Sequence, residues 1–129
     1  QQLRIIQHVN ESLSFGIEII PIPTVREEDG LAISTRNAYL SPQERQAATI
    51  LFKALTVAKL LFDSGERSGE VLRFMLNSIL AREPLAEVDY ASIADVDTFE
   101  ELDEVNYSAQ ALLAVKIGNA RLIDNFLLV

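Results

Sequence analysis

Leu3, Ile6, Val9 (or Asn10) and Leu13 recur at three- and four-residue spacing, with Arg4, Gln7, His8 and Glu11 between them. That period predicts an amphipathic helix, and Gly16 follows its last apolar positions as a C-cap signal. Next comes Ile17-Glu18-Ile19-Ile20-Pro21-Ile22-Pro23, a short run dominated by β-branched residues. A near-continuous isoleucine run predicts a strand covered on both faces, as in a parallel sheet. Helix, glycine and buried strand make the αβ half of a βαβ unit, with no earlier strand to join. The expectation is therefore that the sequence begins inside a larger protein. Pro21 and Pro23 end the strand, since each removes a backbone donor. Thr24 to Leu40 has no sustained period and reads as a loop with at most short extended pieces.

Ser41-Pro42-Gln43-Glu44 is a capping-box pattern with proline at the first helical position. A helix is expected from there to about Asp63, burying Ala47, Leu51, Ala54, Leu55, Ala58, Leu61 and Phe62. Ser64-Gly65 ends it. A second helix, Gly69 to Arg82, is expected to bury Val71, Leu72, Met75, Leu76, Ile79 and Leu80, and Pro84 stops it. Val88 to Val96, Ala109 to Ile117 and Arg121 to Val129 read as strands, the last two joined by a Gly118-Asn119 turn. Sequential strands without helical crossovers predict antiparallel pairing. The expected fold is α+β: helices packed on a small antiparallel three-stranded sheet, preceded by the αβ unit.

With 129 residues, 49% of them hydrophobic, the chain can bury a real core. Lys+Arg 11 against Asp+Glu 19 gives a net charge of −8, which argues against nucleic acid and against an anionic membrane surface as partners. No cysteine is present, so disulfides and thiolate metal sites are excluded. No apolar run approaches the roughly 20 residues that span a bilayer, and no signal peptide is visible. A soluble, cytoplasmic protein is the expectation. His8 is the single histidine and reads as a helix-surface residue. Neither a Walker-type nor a dinucleotide-type glycine motif occurs. The acidic run Glu100-Glu101-Asp103-Glu104 reads as a solvated turn rather than a cation site.

The segment Ser34-Thr35-Arg36-Asn37 sets two hydroxyls beside a guanidinium, outside any helical or strand period. A guanidinium fork matches phosphate or carboxylate with two parallel charge-assisted bonds, and neighbouring hydroxyls add neutral donors that favour charge building on a phosphate. The same residues also read as a capped surface turn.

Four blocks, taken together and in order, resemble the pantothenate synthetase (pantoate–β-alanine ligase) family: Gln1-Gln2-Leu3, Pro23 to Glu27, Asp29 to Leu40, and Ala120-Arg121-Leu122-Ile123-Asp124-Asn125. The resemblance implies a C-terminal lid domain, residues 25–129. Before it, residues 1–24 would be the last helix and strand of an N-terminal Rossmann-like nucleotidyltransferase domain. It also implies the chemistry: ATP activates pantoate as a pantoyl-adenylate, pyrophosphate leaves, and β-alanine attacks to give pantothenate and AMP.

Residue by residue, Gln2 resembles the glutamine that holds pantoate, its amide able to donate to a carboxylate and accept from a hydroxyl. Thr24 and Val25 resemble positions beside the adenine, with the Val25 main chain in contact. Ile33, Ser34, Thr35 and Arg36 resemble the family's Met-Ser-Ser-Arg loop over the ATP phosphates, with Ser34, Thr35 and Arg36 as the catalytic donors. Isoleucine for methionine and threonine for serine keep the bulk and the hydroxyl. The same resemblance implies magnesium, with its ligand upstream of Gln1 and no metal ligand among these residues. It implies the protein's own N-terminal domain as a partner, a homodimeric complete enzyme and an inactive isolated chain. Arg26 and Asp124 read equally as ligands or as an internal pair. The rival expectation is a stand-alone, non-catalytic interaction module that keeps the fold.

Overall fold

A computed structural model describes residues 1–129. Helix α1 spans Gln2–Ser12, α2 Pro42–Ala47, α3 Ile50–Asp63 and α4 Gly69–Leu80, followed by strands β1 Ala86–Ala94, β2 Ala109–Ile117 and β3 Ala120–Leu128. The three strands form one antiparallel sheet in the order β1-β2-β3. Helices α3 and α4 lie on it, α4 against β1 and α3 against β2 and β3. Leu51, Ala54, Leu55, Ala58 and Phe62 of α3 are buried at helical spacing, as are Leu72, Leu76, Ile79 and Leu80 of α4. They meet Ala111, Leu113, Val115 and Ile117 of β2 in a single core. Val71, expected inside, is exposed and Met75 is only partly covered.

The capping box forms as predicted. The Glu44 amide donates to Ser41 Oγ at 3.3 Å, and the Ser41 amide donates to Glu44 Oε2 at 2.8 Å. The single helix expected from Ser41 to Asp63 is instead two, with a tight turn at Ala48 and Thr49. There the Thr49 hydroxyl donates back to the Gln46 carbonyl at 2.9 Å, and the Thr49 amide reaches the same oxygen at 3.3 Å. Side-chain back-bonding by threonine competes with the helical ladder at that step.

In β1 the register slips between Val88 and Tyr90, making Asp89 the extra residue of a β-bulge. Ala86 and Val88 face the core before it, Ala91 and Ile93 after it.

Two expectations for the first 25 residues need correction. Ser14 rather than Gly16 closes α1: it takes a φ of 53° while Phe15 donates to the Asn10 carbonyl at 3.0 Å, the Schellman arrangement with serine in the left-handed position. Ile17 to Pro23 is not a buried strand. It pairs with no strand of this chain, and Ile17, Ile20 and Ile22 are exposed. A strand needs a neighbour's ladder to satisfy its backbone, and within these residues only the Asn10 side chain answers, bonding Ile17 N–H and C=O at 3.1 and 2.8 Å. Arg4 holds α1 beside the sheet by donating to the Val96 carbonyl at 3.0 Å and pairing with Asp97. No residue of α1 is buried.

Candidate functional site

The loop after Pro23 begins as a small hairpin. Ile33 N–H donates to Val25 C=O at 3.0 Å, Glu27 N–H to Leu31 C=O at 2.9 Å, and Arg26 bridges Ala32. Its turn is set by Asp29, whose Oδ1 accepts from the Leu31 amide at 3.2 Å. Gly30 follows at a φ of +89°, pressed so closely on the Phe52 ring that a Cβ would overlap it. Glycine meets both demands at once, the left-handed backbone and the missing side chain. Arg45 of α2 holds Asp29 bidentately at 2.8 and 3.1 Å. That bond keeps the Asp29 carboxyl below its ordinary range, against an opposing effect of desolvation, and raises the Arg45 guanidinium in turn.

Arg26, left open between ligand and internal pair, is internal. Its Nη1 and Nη2 meet Asp124 Oδ2 and Oδ1 at 2.6 and 2.8 Å, and Nη1 also donates to the Gly30 carbonyl at 3.0 Å. Phe52 and Phe126 stand edge to face with centroids 5.6 Å apart, and the guanidinium carbon is 5.0 Å from each. Side-chain exposure is 17% for Arg26 and 2% for Asp124. A carboxylate on the inward face of β3, between Leu122 and Phe126, is costly to bury alone. Its hydrogen-bonded arginine compensates for that cost.

The second half of the loop carries the predicted donors. Ser34 caps a 3₁₀ turn, Thr35–Tyr39, its Oγ accepting from the Arg36 amide at 3.2 Å. Its hydroxyl proton stays free to donate. Arg36 Nη1 donates to the Arg121 carbonyl at 3.1 Å; the rest of its fork has no partner in the chain, nor has the Thr35 hydroxyl. Asn37 Nδ2 donates to the Ala32 carbonyl at 3.0 Å, turning the 3₁₀ segment back on the hairpin, while its Oδ1 is buried without a donor.

These residues line an open cleft of about 440 Å³ between the loop and β3, with Thr24, Ile33, Ser34, Thr35 and Arg36 on one wall and Arg121, Ile123 and Asn125 on the other. A larger cleft of about 980 Å³ adjoins it, between α1 and the uncovered face of the sheet. Gln2 faces this second cleft, and Thr24, Arg36, Asp124 and Asn125 border both. The structure therefore brings Gln2, Thr24 and Ile33 to Arg36 around one continuous depression. Val25 lies outside both clefts, with its carbonyl bound to Ile33 and its N–H unpaired.

Sequence reasoning misses Arg121 and Asn125 as site residues. The alternation of β3 carries the signal: its exposed positions Arg121, Ile123 and Asn125 fall on the cleft side. Arg121 is braced by the bulged Asp89, at 2.8 Å from Nε and 2.7 Å from Nη2.

The acidic run is more than a solvated turn. Glu101 accepts from Arg73 at 2.8 Å and from the Ile93 amide at 3.0 Å, and it also binds the Ser92 hydroxyl. No three carboxylates or imidazoles come together in the chain. His8 sits exposed on α1, 3.4 Å from Ser12 Oγ. No helix is long and apolar enough to cross a membrane.

The family model for pantoate-beta-alanine ligase matches residues 1–127. A pantothenate synthetase of Roseiflexus castenholzii is 51% identical over 128 residues, covering 99% of this chain and 46% of that protein. The crystal structure of pantothenate synthetase from Thermus thermophilus superposes with a TM-score of 0.92 at 34% identity, over 97% of this chain and 45% of that one. A Francisella tularensis pantoate-beta-alanine ligase, complexed with β-γ ATP and β-alanine, gives a TM-score of 0.60 at 26% identity over 98% of this chain and 39% of its own. The chain thus spans about half the length of the curated relatives it matches. Since the likeness runs from the first helix through the hairpin loop to the last strand, in sequence and in three dimensions alike, the chain belongs to the pantoate-beta-alanine ligase family.

Proposed function

We propose that this chain is the C-terminal portion of an ATP-dependent ligase that condenses pantoate with β-alanine. In the first step a pantoate carboxylate oxygen attacks the α-phosphorus of ATP and pyrophosphate leaves. In the second, the β-alanine amine attacks the acyl carbon of the pantoyl-adenylate, and AMP leaves with the electron pair of the broken C–O bond. The observation that carries the reading is the shared depression. Gln2 borders one end of it, and Thr24, Ser34, Thr35 and Arg36 the other.

The unpaired part of the Arg36 fork and the Ser34 and Thr35 hydroxyls are donors without acceptors on an exposed rim. A triphosphate supplies those acceptors, and the charge moving onto the departing pyrophosphate strengthens each bond. Thr24 and the unpaired Val25 N–H take the adenine side of the nucleotide. Gln2 takes pantoate through its amide. The loop acts as a lid that excludes water from the reactive acyl phosphate. The Francisella ligase, complexed with β-γ ATP and β-alanine, supports ATP as the nucleotide.

The division at residue 24 belongs to the same reading. Leu3, Ile5, Val9, Ile17, Ile20 and Ile22 leave apolar surface uncovered, as expected of a helix and an extended segment whose partners lie in a nucleotide-binding domain. Magnesium, a homodimer formed through that domain and a cytoplasmic location rest on the family resemblance.

The decisive experiment is Arg36→Ala in the complete enzyme. Pyrophosphate release in a single turnover should slow by about 10²–10³, the range for loss of one charge-stabilising donor, with pantoate affinity little changed. An unaltered first half-reaction overturns the phosphate role. The isolated chain should form no pantothenate.

A further inference from the structure

The hairpin that bears Val25 and Ile33 and leads into Ser34-Thr35-Arg36 has few backbone bonds of its own; Leu31 packs into the core and Asp29 pairs with Arg45 of α2, while Thr24 and Ile33 stand exposed at the cleft. Its polar tie to the sheet is a half-buried group that takes no part in the chemistry above. We infer that Arg26, clamped by Asp124 and sandwiched between Phe52 and Phe126, is a positioning residue. It fixes the height and angle at which the loop presents Ser34 and Arg36 to the nucleotide. The inference rests on the proposed phosphate role of that loop.

Three features point the same way. The guanidinium joins three separate elements, since it bonds Asp124 of β3, bonds the Gly30 carbonyl at the hairpin tip and stacks on Phe52 of α3. The pairing is bidentate, so it fixes orientation as well as distance. Gly30 lies against the opposite partner, the Phe52 ring, so the hairpin is gripped at its tip and at its base. Asp124 is followed by Asn125 and preceded by Ile123, both on the cleft wall. One ion pair therefore sets the spacing of the two walls. Displacement of a reacting group by about 1 Å is enough to cost on the order of 10²-fold in rate.

The test uses the complete enzyme with Arg26→Lys and, separately, Phe52→Leu. Lysine keeps the charge and loses the planar fork. Leucine keeps the ion pair and removes one ring from a residue that touches neither cleft. Each variant is assayed well below its melting temperature. The expected result is a fall of about tenfold or more in single-turnover pyrophosphate release, with the KM for pantoate within about twofold of the parent. Faster hydrogen exchange at the Ile33 and Glu27 amides should accompany it. A folded variant with the parental rate and exchange overturns the proposal, as does an equal loss of rate and pantoate affinity. Should Arg26→Lys fail to fold, Phe52→Leu decides. Arg36→Ala in the same series separates the two readings. If it has no effect, the phosphate role fails; if it acts while both clamp variants do not, only the positioning role fails.

Discussion

Arg36 of the 3₁₀ turn donates from Nη1 to the main-chain carbonyl of Arg121 at the start of β3, 3.1 Å away. The contact crosses 85 residues of sequence and leaves the remaining donors of the fork unpaired. Because the acceptor is backbone, its place is set by the β2–β3 ladder rather than by a mobile side chain. An arginine held at one corner is already partly ordered, so less rotamer entropy remains to be lost when an anion binds.

Ser34 orders the same arginine from the other side by capping its amide. Ser34→Ala should therefore slow pyrophosphate release in the complete enzyme by about tenfold, roughly the 1.4 kcal/mol of one neutral hydrogen bond and its cap. Ser34→Thr, which keeps the acceptor, should recover most of the rate. Equal rates for the alanine and threonine variants would show that the hydroxyl has no part in the step.

Gly69 opens α4 with the Leu102 carbonyl lying where a Cβ would stand, and its amide donates to the Asp103 carbonyl at 2.7 Å. Alanine is ordinarily the better helix former by about 1 kcal/mol. Here the obstacle is backbone of an adjoining loop that Arg73 also grips at 2.7 Å. Gly69→Ala should destabilise by about 1–3 kcal/mol, the usual cost of overpacking. Urea unfolding of the chain measures it, and a more stable variant contradicts the assignment.

The Ser41–Glu44 box satisfies two orphan donors at the start of α2. Ser41→Ala should cost about 1 kcal/mol, and Ser41→Asp should cost much less because a carboxylate also caps and suits the helix N-terminus. Chemical denaturation at neutral pH distinguishes the two substitutions.

Asp29 titrates below the ordinary carboxylate range because Arg45 favours its charged form. The sign follows from linkage. A group with a depressed folded pKa contributes stability that is present above its unfolded value, about 3.9, and is lost as pH falls through the folded value. The stability difference between the parent chain and Asp29→Asn should thus be constant near neutrality and shrink as pH falls below about 4. Unfolding midpoints at a series of acid pH values check this. A difference independent of pH excludes the Arg45 pair as its source.

Most of the α+β body was legible in the chain because local signals and tertiary packing agree there. Leu51 to Phe62 and Leu72 to Leu80 bury at the spacing that a helix requires, and Gly118-Asn119 turns one strand into the next. The failures occur where a long-range partner decides. Ile17 to Pro23 has strand composition, yet composition provides no neighbour to pair with. Thr49 is the local exception, an ordinary helix residue until its hydroxyl turns back on Gln46 three residues earlier. Arg26 and Asp124 are 98 residues apart and come together only through the order of the sheet, so no local pattern decided between an internal pair and a ligand role. The block from Ile33 to Arg36 was visible as chemistry, whereas Arg121 and Asn125 became visible only once β3 had a face.

The extra residue in β1 gives this strand one place where its length can change without turning it inside out. Before Asp89 the even-numbered side chains point to the core, and beyond it the odd-numbered ones do. Deleting Asp89 would close the ladder to a regular one, with Ala91 and Ile93 still inward and Tyr90 still on the wall of the larger cleft. The hydrophobic interior would therefore tolerate the loss, and the damage would fall on Arg121, deprived of its carboxylate brace. Asp89 thus answers to the shape of the cleft rather than to the stability of the sheet.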